Sequence, residues 1–535
     1  MKVFEVSWEV CNKVGGIYSV ISSKVGYMQE ICDYVAFGPY FESEAKKEFK
    51  ELEVQDERIQ KAITKAQEKG LKIHFGEWQI KNKPKVFLIE FESYFSRVDE
   101  IKKYLWERYE LDSLGSNHDF NEPLVFSWAV ADFIRFLIEE EYASSNDVLH
   151  AHEWMTGFSI LNLKDQIKTV FTTHATMIGR TIAGNNIDLY GKLEELDANY
   201  YAKELGVIPK HSAEKTMANN SDVFTTVSDI TAREAKFLLK KEVDVVLKNG
   251  IDGNLFFDEN KLTKNSKKSR DKINEFLSYF FNSNQDFNPK NAKIGYFAGR
   301  YEHKNKGIDI IIDSLVDLNK QTDENFVFFF LVAINSSEEK KELLRRKALY
   351  HNLKDLKQTN FTEKKDLLEN IYKSNSQPLI TTYETTILLD ELKKKGLDNK
   401  KENKVKVVVH PFMLDNLDSF LCMDYFETIR GFDIGVFPSY YEPWGYTPVE
   451  CLVSGVLAVT TNFAGFGVHS QEKKEIVVLD RNKEYSEIVS DLKNTFLNLN
   501  NIKVKKSDYI NSIRDVDWKE LIKNYKKAYE LTSKE

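Results

Sequence analysis

Two carboxylates, Glu442 and Glu450, flank a segment whose residue types suit the binding of an anion. Between them the chain reads Pro-Trp-Gly-Tyr-Thr-Pro-Val. Thr447 precedes a proline and lies three residues before a glutamate, a capping-box pattern that predicts a helix start at about Pro448 with Thr447 as N-cap. The unpaired N–H groups of a helix start attract phosphate, and Gly445 would let a ligand approach the backbone closely.

Two interpretations of these carboxylates compete. As a pair they could share acid–base work of the kind that glycoside hydrolases use. Alternatively, Glu450 only caps its own helix, which is the more common role for a residue in that position. Glu442 stands between Tyr441 and Pro443, where a solvated turn would favour small polar residues. A role in a site is therefore favoured for Glu442.

A glycine pair follows the first predicted strand. Lys13, Gly15 and Gly16 could bring backbone N–H groups and one positive charge to a phosphate, although double glycines at such turns often serve packing alone. The chain contains neither a GxGxxG nor a GxxxxGK[ST] motif. Their absence from the sequence argues against a dinucleotide-binding or P-loop NTPase function.

Basic residues follow a later predicted strand, in Gly-Arg-Tyr-Glu-His-Lys-Asn-Lys-Gly. Arg300 offers a planar fork of donors and Lys306 a point charge, a combination that suits a diphosphate. Lys304 is a neighbouring alternative to Lys306, and the segment could equally be a solvated basic loop.

Histidines stand at the ends of two predicted strands. His174 lies in Thr-Thr-His-Ala-Thr, and His152 lies in His-Ala-His-Glu-Trp. Such a histidine could contact a substrate or serve as a structural hydrogen-bonding group, and the structural role is favoured for His150. The second histidine of a zinc-protease helix is missing from the sequence, and no other spacing typical of metal ligands occurs, so no metal site is predicted.

The composition indicates a soluble protein of the cytoplasm. The 535 residues, 42% of them hydrophobic, can form two cores, and the net charge of −8 argues against a dedicated nucleic-acid binder. Four scattered cysteines without a CxxC pair fit a reducing compartment. The first residues carry an acid within an apolar run, which favours a strand over a signal peptide. The longest apolar run, 326–334, is too short to span a bilayer.

Apolar, β-branched runs alternate with longer helical patterns, which predicts an α/β fold with parallel sheets. The strands expected are residues 3–10, 147–151, 169–173, 223–227, 293–298, 326–334, 405–410, 434–437 and 456–460. Those before about residue 250 and those after 290 are expected to form separate sheets. The polar, basic segment 261–272 predicts a linker or exposed turn. The highly charged segment 336–373 has a narrow apolar stripe, which fits either surface helices or a helical hairpin for self-association.

Taken together, these segments resemble the glycogen synthases of glycosyltransferase family 3, the animal and fungal type. The matching stretches, in family order, are residues 8–16, 152–154, 171–176, 223–228, 297–302, 305–307 and 435–450. The resemblance implies the GT-B fold, with two facing Rossmann-like domains and the active site in the cleft. One domain would be residues 1–260, onto which a C-terminal helix over 516–535 crosses back. The other would be residues 275–515, with a helical insertion at 336–373.

The resemblance implies transfer of glucose from UDP-glucose to the 4-hydroxyl of a glycogen chain end, with retention of configuration and without a metal or other cofactor. By the matching motifs, Arg300 and Lys306 would hold the diphosphate, Glu442 would lie beside the donor glucose, and His174 would contact that sugar. Tyr425 would stack on the uracil and Glu450 would hold the ribose. The other substrate-binding residues implied are Lys13, Gly15, Gly16, Trp444, Gly445, Tyr446 and Thr447. The Glu442–Glu450 segment then becomes a donor cradle and not a catalytic pair.

The resemblance also carries departures and alternatives. Animal and fungal members have a phosphorylated N-terminal extension and an arginine-rich helix that binds glucose-6-phosphate, whereas residues 506–514 contain one arginine. We therefore expect no strong activation by glucose-6-phosphate. The segment 336–373 lies where the family has oligomerising helices, so a homo-oligomer is expected, with a tetramer as one candidate form. The alternatives are an ADP-glucose-dependent glucan synthase, a glucan phosphorylase and a non-catalytic glycogen-binding relative. No convincing motif for the cofactor lysine of a phosphorylase occurs in the sequence.

Overall fold

The computed structural model describes residues 1–253, 259–281, 287–333, 338–355, 378–411, 414 and 418–533. The chain forms two compact units. The first comprises Met1–Gly253 together with Arg514–Glu535, and the second comprises Asn254–Ile513. Each unit is built around its own β-sheet.

In its described part, the first unit has a nine-stranded sheet in the order β3-β4-β5-β2-β1-β6-β7-β8-β9. Its strands are β1 (Lys2–Val6), β2 (Asp33–Pro39), β3 (Phe49–Glu51), β4 (Lys72–Trp78), β5 (Lys85–Glu90), β6 (Val148–His152), β7 (Lys168–Thr173), β8 (Val223–Thr226) and β9 (Val245–Val246). The pairs from β5–β2 through to β8–β9 are parallel, whereas β3–β4 and β4–β5 are antiparallel.

Helices cover this sheet. In order they are α1 (Gly16–Ile31), α2 (Glu42–Glu48), α3 (Glu57–Glu68), α4 (Val98–Tyr109), α5 (His118–Glu139), α6 (Glu153–Leu163), α7 (Met177–Gly184), α8 (Ala198–Glu204), α9 (Ile208–Asn220) and α10 (Asp229–Glu234). Short 3-10 or π turns occur at Glu92–Arg97 and Ala235–Leu239. The core packs strand aromatics against α5: the ring of Phe87 lies 5.2 Å from that of Phe37 and 5.1 Å from that of Phe133.

The second unit, within the described ranges, has a six-stranded parallel sheet in the order β12-β11-β10-β13-β14-β15. Its strands are β10 (Lys293–Arg300), β11 (Phe326–Ala333), β12 (Val405–His410), β13 (Ile434–Val436), β14 (Leu457–Thr461) and β15 (Ile476–Leu479). The strands are almost wholly buried, as expected for a parallel sheet that is covered on both faces.

The helices continue with α11 (Glu259–Phe280), α12 (Ile308–Gln321), α13 (Lys341–Asp355), α14 (Leu389–Lys394), α15 (Tyr425–Ile429), α16 (Tyr446–Val453), α17 (Gly465–His469), α18 (Tyr485–Leu497), α19 (Lys506–Arg514) and α20 (Trp518–Leu531). Short 3-10 turns lie at Pro289–Asn291 and Leu499–Asn501. The last helix, α20, belongs to the first unit, where the indole of Trp518 donates a 2.8 Å hydrogen bond to Ser23. No helix of the described ranges is both long and apolar enough to cross a bilayer.

Every segment expected to be a strand overlaps a strand of the structure, although the first ends at Val6 and not at residue 10. The expectation of parallel sheets is confirmed except at one edge of the first sheet, where β3 and β4 pair antiparallel. The expectation of a linker over 261–272 is wrong, because α11 runs through it. The buried residues Ile273, Phe276 and Leu277 follow at helical spacing and fix the helix, whereas Lys264, Lys267 and Lys268 are exposed. Within 336–373, α13 is a helix, and residues 356–377 lie outside the described residues.

Candidate active site

Two loops follow the carboxyl ends of β10 and β13 in the second unit, the edge where parallel sheets bind ligands. They are held together by a 2.8 Å hydrogen bond from the N–H of Tyr440 to the carbonyl of Asn305. Their approach is so close that a Cβ at Gly307, whose φ is +68°, would lie 2.3 Å from the carbonyl oxygen of Pro438. Gly307 therefore lets the first loop pass under the second.

The approach of these loops brings Lys306 against Glu442. The ammonium nitrogen lies 2.5 Å from Oε2 of the carboxylate, and both side chains are largely buried. Arg300 stands at the end of β10 with its side chain 75% exposed and pairs at 3.0 Å with Glu302. A surface pair of this kind is weak, so the guanidinium can exchange its partner for a ligand anion.

The backbone around Glu442 is anchored from one neighbouring turn. The carbonyl of Glu442 accepts a 3.0 Å hydrogen bond from Gly465, and that of Trp444 accepts one of 2.7 Å from Phe466. The Trp444 ring is buried, 5.8 Å from the ring of Phe466 and 6.0 Å from that of His469. Trp444 therefore acts as a packing anchor for the loop that carries Glu442.

Helix α16 starts two residues earlier than the sequence pattern predicts. Gly445 is the N-cap, with φ of +98°, so Thr447 lies inside the first turn and the expectation that it caps the helix is wrong. The physical reason is the left-handed conformation of Gly445, which redirects the chain before the threonine can act. Tyr446 and Thr447 are both half-buried in that first turn.

Glu450 lies in the second turn of α16 and has its own partner. The hydroxyl of Tyr425 donates a 2.9 Å hydrogen bond to Oε2 of Glu450, so the predicted capping box is not formed. Burial raises the pKa of Glu450 to about 7, and the bond from Tyr425 opposes that rise. Glu442 pairs with a cation and Glu450 with a phenol, which gives the two carboxylates different chemical environments.

The predicted residues of the first unit lie at two strand ends. Lys13 and the glycines 15 and 16 are exposed where α1 begins. The carboxylate of Glu9, which sequence reasoning missed, accepts 2.8 Å hydrogen bonds from the N–H groups of Gly15 and Tyr18. An anion of the protein itself therefore occupies part of this helix start.

His174 follows β7, where its ring is buried and linked to a chain of polar groups. Its Nε2 lies 2.9 Å from Nδ1 of His152, and Nε2 of His152 lies 2.6 Å from Oε1 of Glu5. Glu5 also binds the ammonium of Lys24 and the hydroxyl of Tyr34. Glu5, His152 and His174 are hereafter called the relay.

The backbone that carries His174 is held by buried acids. One carboxylate oxygen of Glu153 accepts the N–H groups of His174 and Ala175, at 2.8 and 3.1 Å, and Glu214 accepts that of Met177 at 2.8 Å. Burial raises the pKa of Glu153, and burial together with the charge of Glu153 raises that of Glu214 well above its ordinary value. Glu153 adopts a left-handed φ of +64°, a strained conformation that its two bonds stabilise.

Glu5, His150 and His152 could by donor type hold a metal ion, since their ligand atoms lie within 4.8 Å of one another. The ammonium of Lys24 already supplies a positive charge to the carboxylate of Glu5. His150 is also engaged, at 2.7 Å with Thr172 and at 3.0 Å with the hydroxyl of Tyr529. These contacts fit a buried structural network better than an ion site.

Comparisons with known proteins bear on this arrangement. The glycogen synthase family model matches residues 5–379 and 356–535. A glycogen [starch] synthase of Neurospora crassa is 32% identical over 532 residues, 90% of this chain and 75% of that protein. The liver glycogen [starch] synthase of Mus musculus is 33% identical over 513 residues, 88% of this chain and 73% of that protein.

This chain belongs to the glycogen synthase family. Membership makes it an enzyme and a glycosyltransferase, and it confirms the family resemblance read from the sequence. Among solved structures, the catalytic domain of starch synthase IV from Arabidopsis thaliana superposes with a TM-score of 0.54 at 13% identity, covering 100% of this chain and 99% of that one. A trehalose-6-phosphate protein of E. coli gives 0.51 at 11% identity, covering 100% of both chains. These likenesses confirm the expected α/β fold class, the two-domain GT-B fold.

Sequence reasoning named residues of these loops and His152 as candidates, but it gave no role to the acids that hold them. Glu5 and Glu9 were visible as acids in or next to an apolar strand, an unusual place for a charge. Glu153 lies in the matching stretch 152–154 and Glu214 in no marked pattern, and only the fold shows that both hold the backbone after β7.

Proposed function

We propose that this enzyme transfers glucose from UDP-glucose to the 4-hydroxyl of an α-1,4-glucan chain end, with retention of configuration. The observation that carries the proposal is the Lys306–Glu442 pair at the carboxyl edge of the sheet of the second unit. Glu442 lies shortly before the start of α16. A departing diphosphate needs preorganised positive charge, and Lys306, Arg300 and the N–H groups of α16 are positioned to supply it. The other site residues predicted from the sequence keep, in this proposal, the roles that the family resemblance implies.

The pair also suggests how the sugar is handled. As the bond to the diphosphate breaks, the sugar becomes positively charged and the leaving group gains negative charge. Glu442 would stabilise the first and Lys306 the second, so that the attacking hydroxyl enters from the face that the diphosphate leaves and gives its proton to an oxygen of that diphosphate. Glu442 then acts by charge and forms no covalent bond. A stable glucosyl adduct on Glu442, trapped during turnover and found by mass spectrometry, would overturn this mechanism.

The donor base and the acceptor are tested by one assay. We expect nucleotide release from UDP-glucose, dependent on added glycogen, and much less from ADP-glucose. The new glycosidic proton in the NMR spectrum of the product should be that of an α linkage. Glu442→Gln and Arg300→Ala should both abolish turnover with the fold intact, whereas Lys320→Met, on the exposed face of α12, should leave it unchanged. A faster reaction with ADP-glucose would replace this donor assignment with the starch synthase alternative.

Further elements of the proposal concern assembly, place and control. We propose a homo-oligomer in which the segment 336–373 takes part, measurable as a mass above 62.2 kDa in solution. The four cysteines form no disulfide, which fits a protein of the reducing cytoplasm. Because α19 carries one arginine, we propose no strong activation by glucose-6-phosphate. A several-fold increase in rate on its addition would contradict that.

A further inference from the structure

The relay has a definite arrangement of protons. Burial alone would raise the pKa of Glu5. The charge of Lys24 and the hydrogen bond from His152 nevertheless hold this pKa well below its ordinary value. Glu5 is therefore a carboxylate and can only accept, so Nε2 of His152 must carry the proton that joins them. Burial lowers the pKa of His152, which keeps its ring neutral. A neutral ring with a proton on Nε2 has a lone pair on Nδ1.

The same argument applies to the ring of His174. Since Nδ1 of His152 is an acceptor, the 2.9 Å contact requires a proton on Nε2 of His174. Burial lowers the pKa of His174 well below its ordinary value, so this ring is neutral as well. Its Nδ1 consequently carries a lone pair. Across the described residues, no protein group donates a hydrogen bond to that atom.

We propose that Glu5, acting through His152, fixes His174 as the tautomer protonated on Nε2, so that Nδ1 accepts a hydrogen bond from a hydroxyl of the bound sugar. The inference rests on the proposed function, in which His174 contacts the donor sugar, and it adds the direction of that contact. Glu5 and His152 are then positioning residues, because neither needs to touch the substrate.

The direction of this hydrogen bond, from the sugar hydroxyl to Nδ1 of His174, has chemical consequences. A lone pair on Nδ1 attracts an O–H group and repels a phosphate oxygen or an ether oxygen, so His174 would select the hydroxyl-bearing side of the donor. His174 would also be unable to give a proton from Nδ1 to the leaving group. Its contribution is to hold the sugar, and the positive charge for the diphosphate must come from elsewhere.

Two substitutions of His152 separate this role from simple packing. In His152→Asn the side-chain oxygen can take the place of Nδ1 and still accept from His174. In His152→Gln the amide can take the place of Nε2 and still donate to Glu5, but nothing is left to accept from His174. We expect His152→Asn to keep the tautomer of His174 and most of the activity. We expect His152→Gln to lose the tautomer preference and about tenfold in kcat/KM for UDP-glucose.

The tautomer is measured on protein labelled with ¹⁵N in histidine, without any substrate. In the wild type, Nε2 of His174 should give the signal of a protonated nitrogen and Nδ1 that of a bare one, with His174→Asn used for assignment. His211, buried in α9 and not a member of the relay, is the control, and its unchanged signals would show an intact core. A wild-type His174 protonated on Nδ1 would overturn the proposal, whatever the variants do.

Kinetics with donor analogues test the second part of the proposal, the hydrogen bond that Nδ1 of His174 accepts from a sugar hydroxyl. UDP-deoxyglucoses that each lack one hydroxyl should include one whose kcat/KM is the same in the wild type and in His152→Gln, because both have lost the same hydrogen bond. If every analogue is slowed by His152→Gln as much as UDP-glucose is, the contact does not exist. Absence of any turnover by the wild type would refute the proposed function and leave the tautomer result standing. Turnover by an enzyme with the opposite tautomer would refute the relay alone.

Discussion

Lys306 and Glu442 are 136 residues apart in the chain, yet their charged atoms lie 2.5 Å from each other. Each is held by a loop that follows a parallel strand, and the two loops are joined through the backbone of Tyr440 and Asn305. A buried pair that is broken on one side leaves an uncompensated charge. In the proposed mechanism substrate binding exploits this, because a diphosphate would offer Lys306 a second anion and a developing sugar cation would offer Glu442 a second partner.

Replacing Lys306 with methionine should lower kcat by about 100-fold or more, because the charge that meets the leaving group is lost in the transition state. The measurement is nucleotide release from UDP-glucose in the presence of glycogen. Lys320→Met is the matched control, since Lys320 makes an exposed pair with Asp317 on α12. Equal turnover numbers for the two variants would remove Lys306 from the proposed mechanism.

Gly445 offers a test of how the cradle is shaped. An alanine there would have to adopt a φ of +98° and would bring its Cβ to 3.1 Å from Cγ of Glu442. Gly396 has a similar φ of +81°, but a Cβ at that position meets nothing within 4 Å. Gly445→Ala and Gly396→Ala should therefore each cost about 1–2 kcal/mol of stability, seen as a lower melting temperature, from the left-handed backbone.

Only Gly445→Ala should also lower the rate, since only it displaces Glu442. Its kcat for glucosyl transfer should fall clearly below that of Gly396→Ala measured under the same conditions. If the two variants lose stability alike and both keep full activity, the exact position of Glu442 matters less than the pairing with Lys306 suggests.

What the sequence could predict follows from the range of the forces involved. Strands and helices depend on local periodicity, so the strand runs were found and the family loops placed at strand ends. Residues 261–272, which lie in α11, were mistaken for a linker because they are polar and basic and the apolar residues that fix the helix come later. The start of α16 was misplaced because the conformation of Gly445 depends on the loop around it. The partner of Glu442 could not be predicted, because no local pattern connects residue 442 with residue 306.

The two glycines at the start of α1 should respond differently to alanine. A Cβ at Gly15 would lie 3.1 Å from Oε1 of Glu9, whereas one at Gly16 meets nothing within 4 Å. We expect Gly15→Ala to lower the melting temperature, because it disturbs a carboxylate that holds two N–H groups of the helix. Gly16→Ala should have the same melting temperature as the wild type.

The KM for UDP-glucose then tells whether this turn binds the donor. If Gly16→Ala raises KM while its melting temperature stays unchanged, close approach of a ligand is the reason for that glycine. Unchanged KM and unchanged melting temperature together would assign Gly16 to neither role and would leave Lys13 and Gly15 as the candidates of that turn for donor binding.

Glu450 makes stability depend on pH in a stated direction. Its pKa is raised to about 7 in the folded protein by burial, so the fold favours the protonated form. The stabilisation is complete below the ordinary pKa of a glutamate and is lost as pH rises through about 7. Glu450→Gln keeps an acceptor for Tyr425 and cannot ionise. The variant should therefore melt close to the wild type at about pH 5 and above it at about pH 8.

The control for this comparison is Glu472→Gln, at an exposed turn of the second unit, which should follow the wild type at both values. Calorimetric scans of the three proteins supply the measurement. A wild type that gains stability relative to Glu450→Gln as the pH rises would mean that the carboxylate is favoured by the fold. In that case the hydrogen bond from Tyr425 would outweigh burial, and Glu450 would be charged at neutral pH.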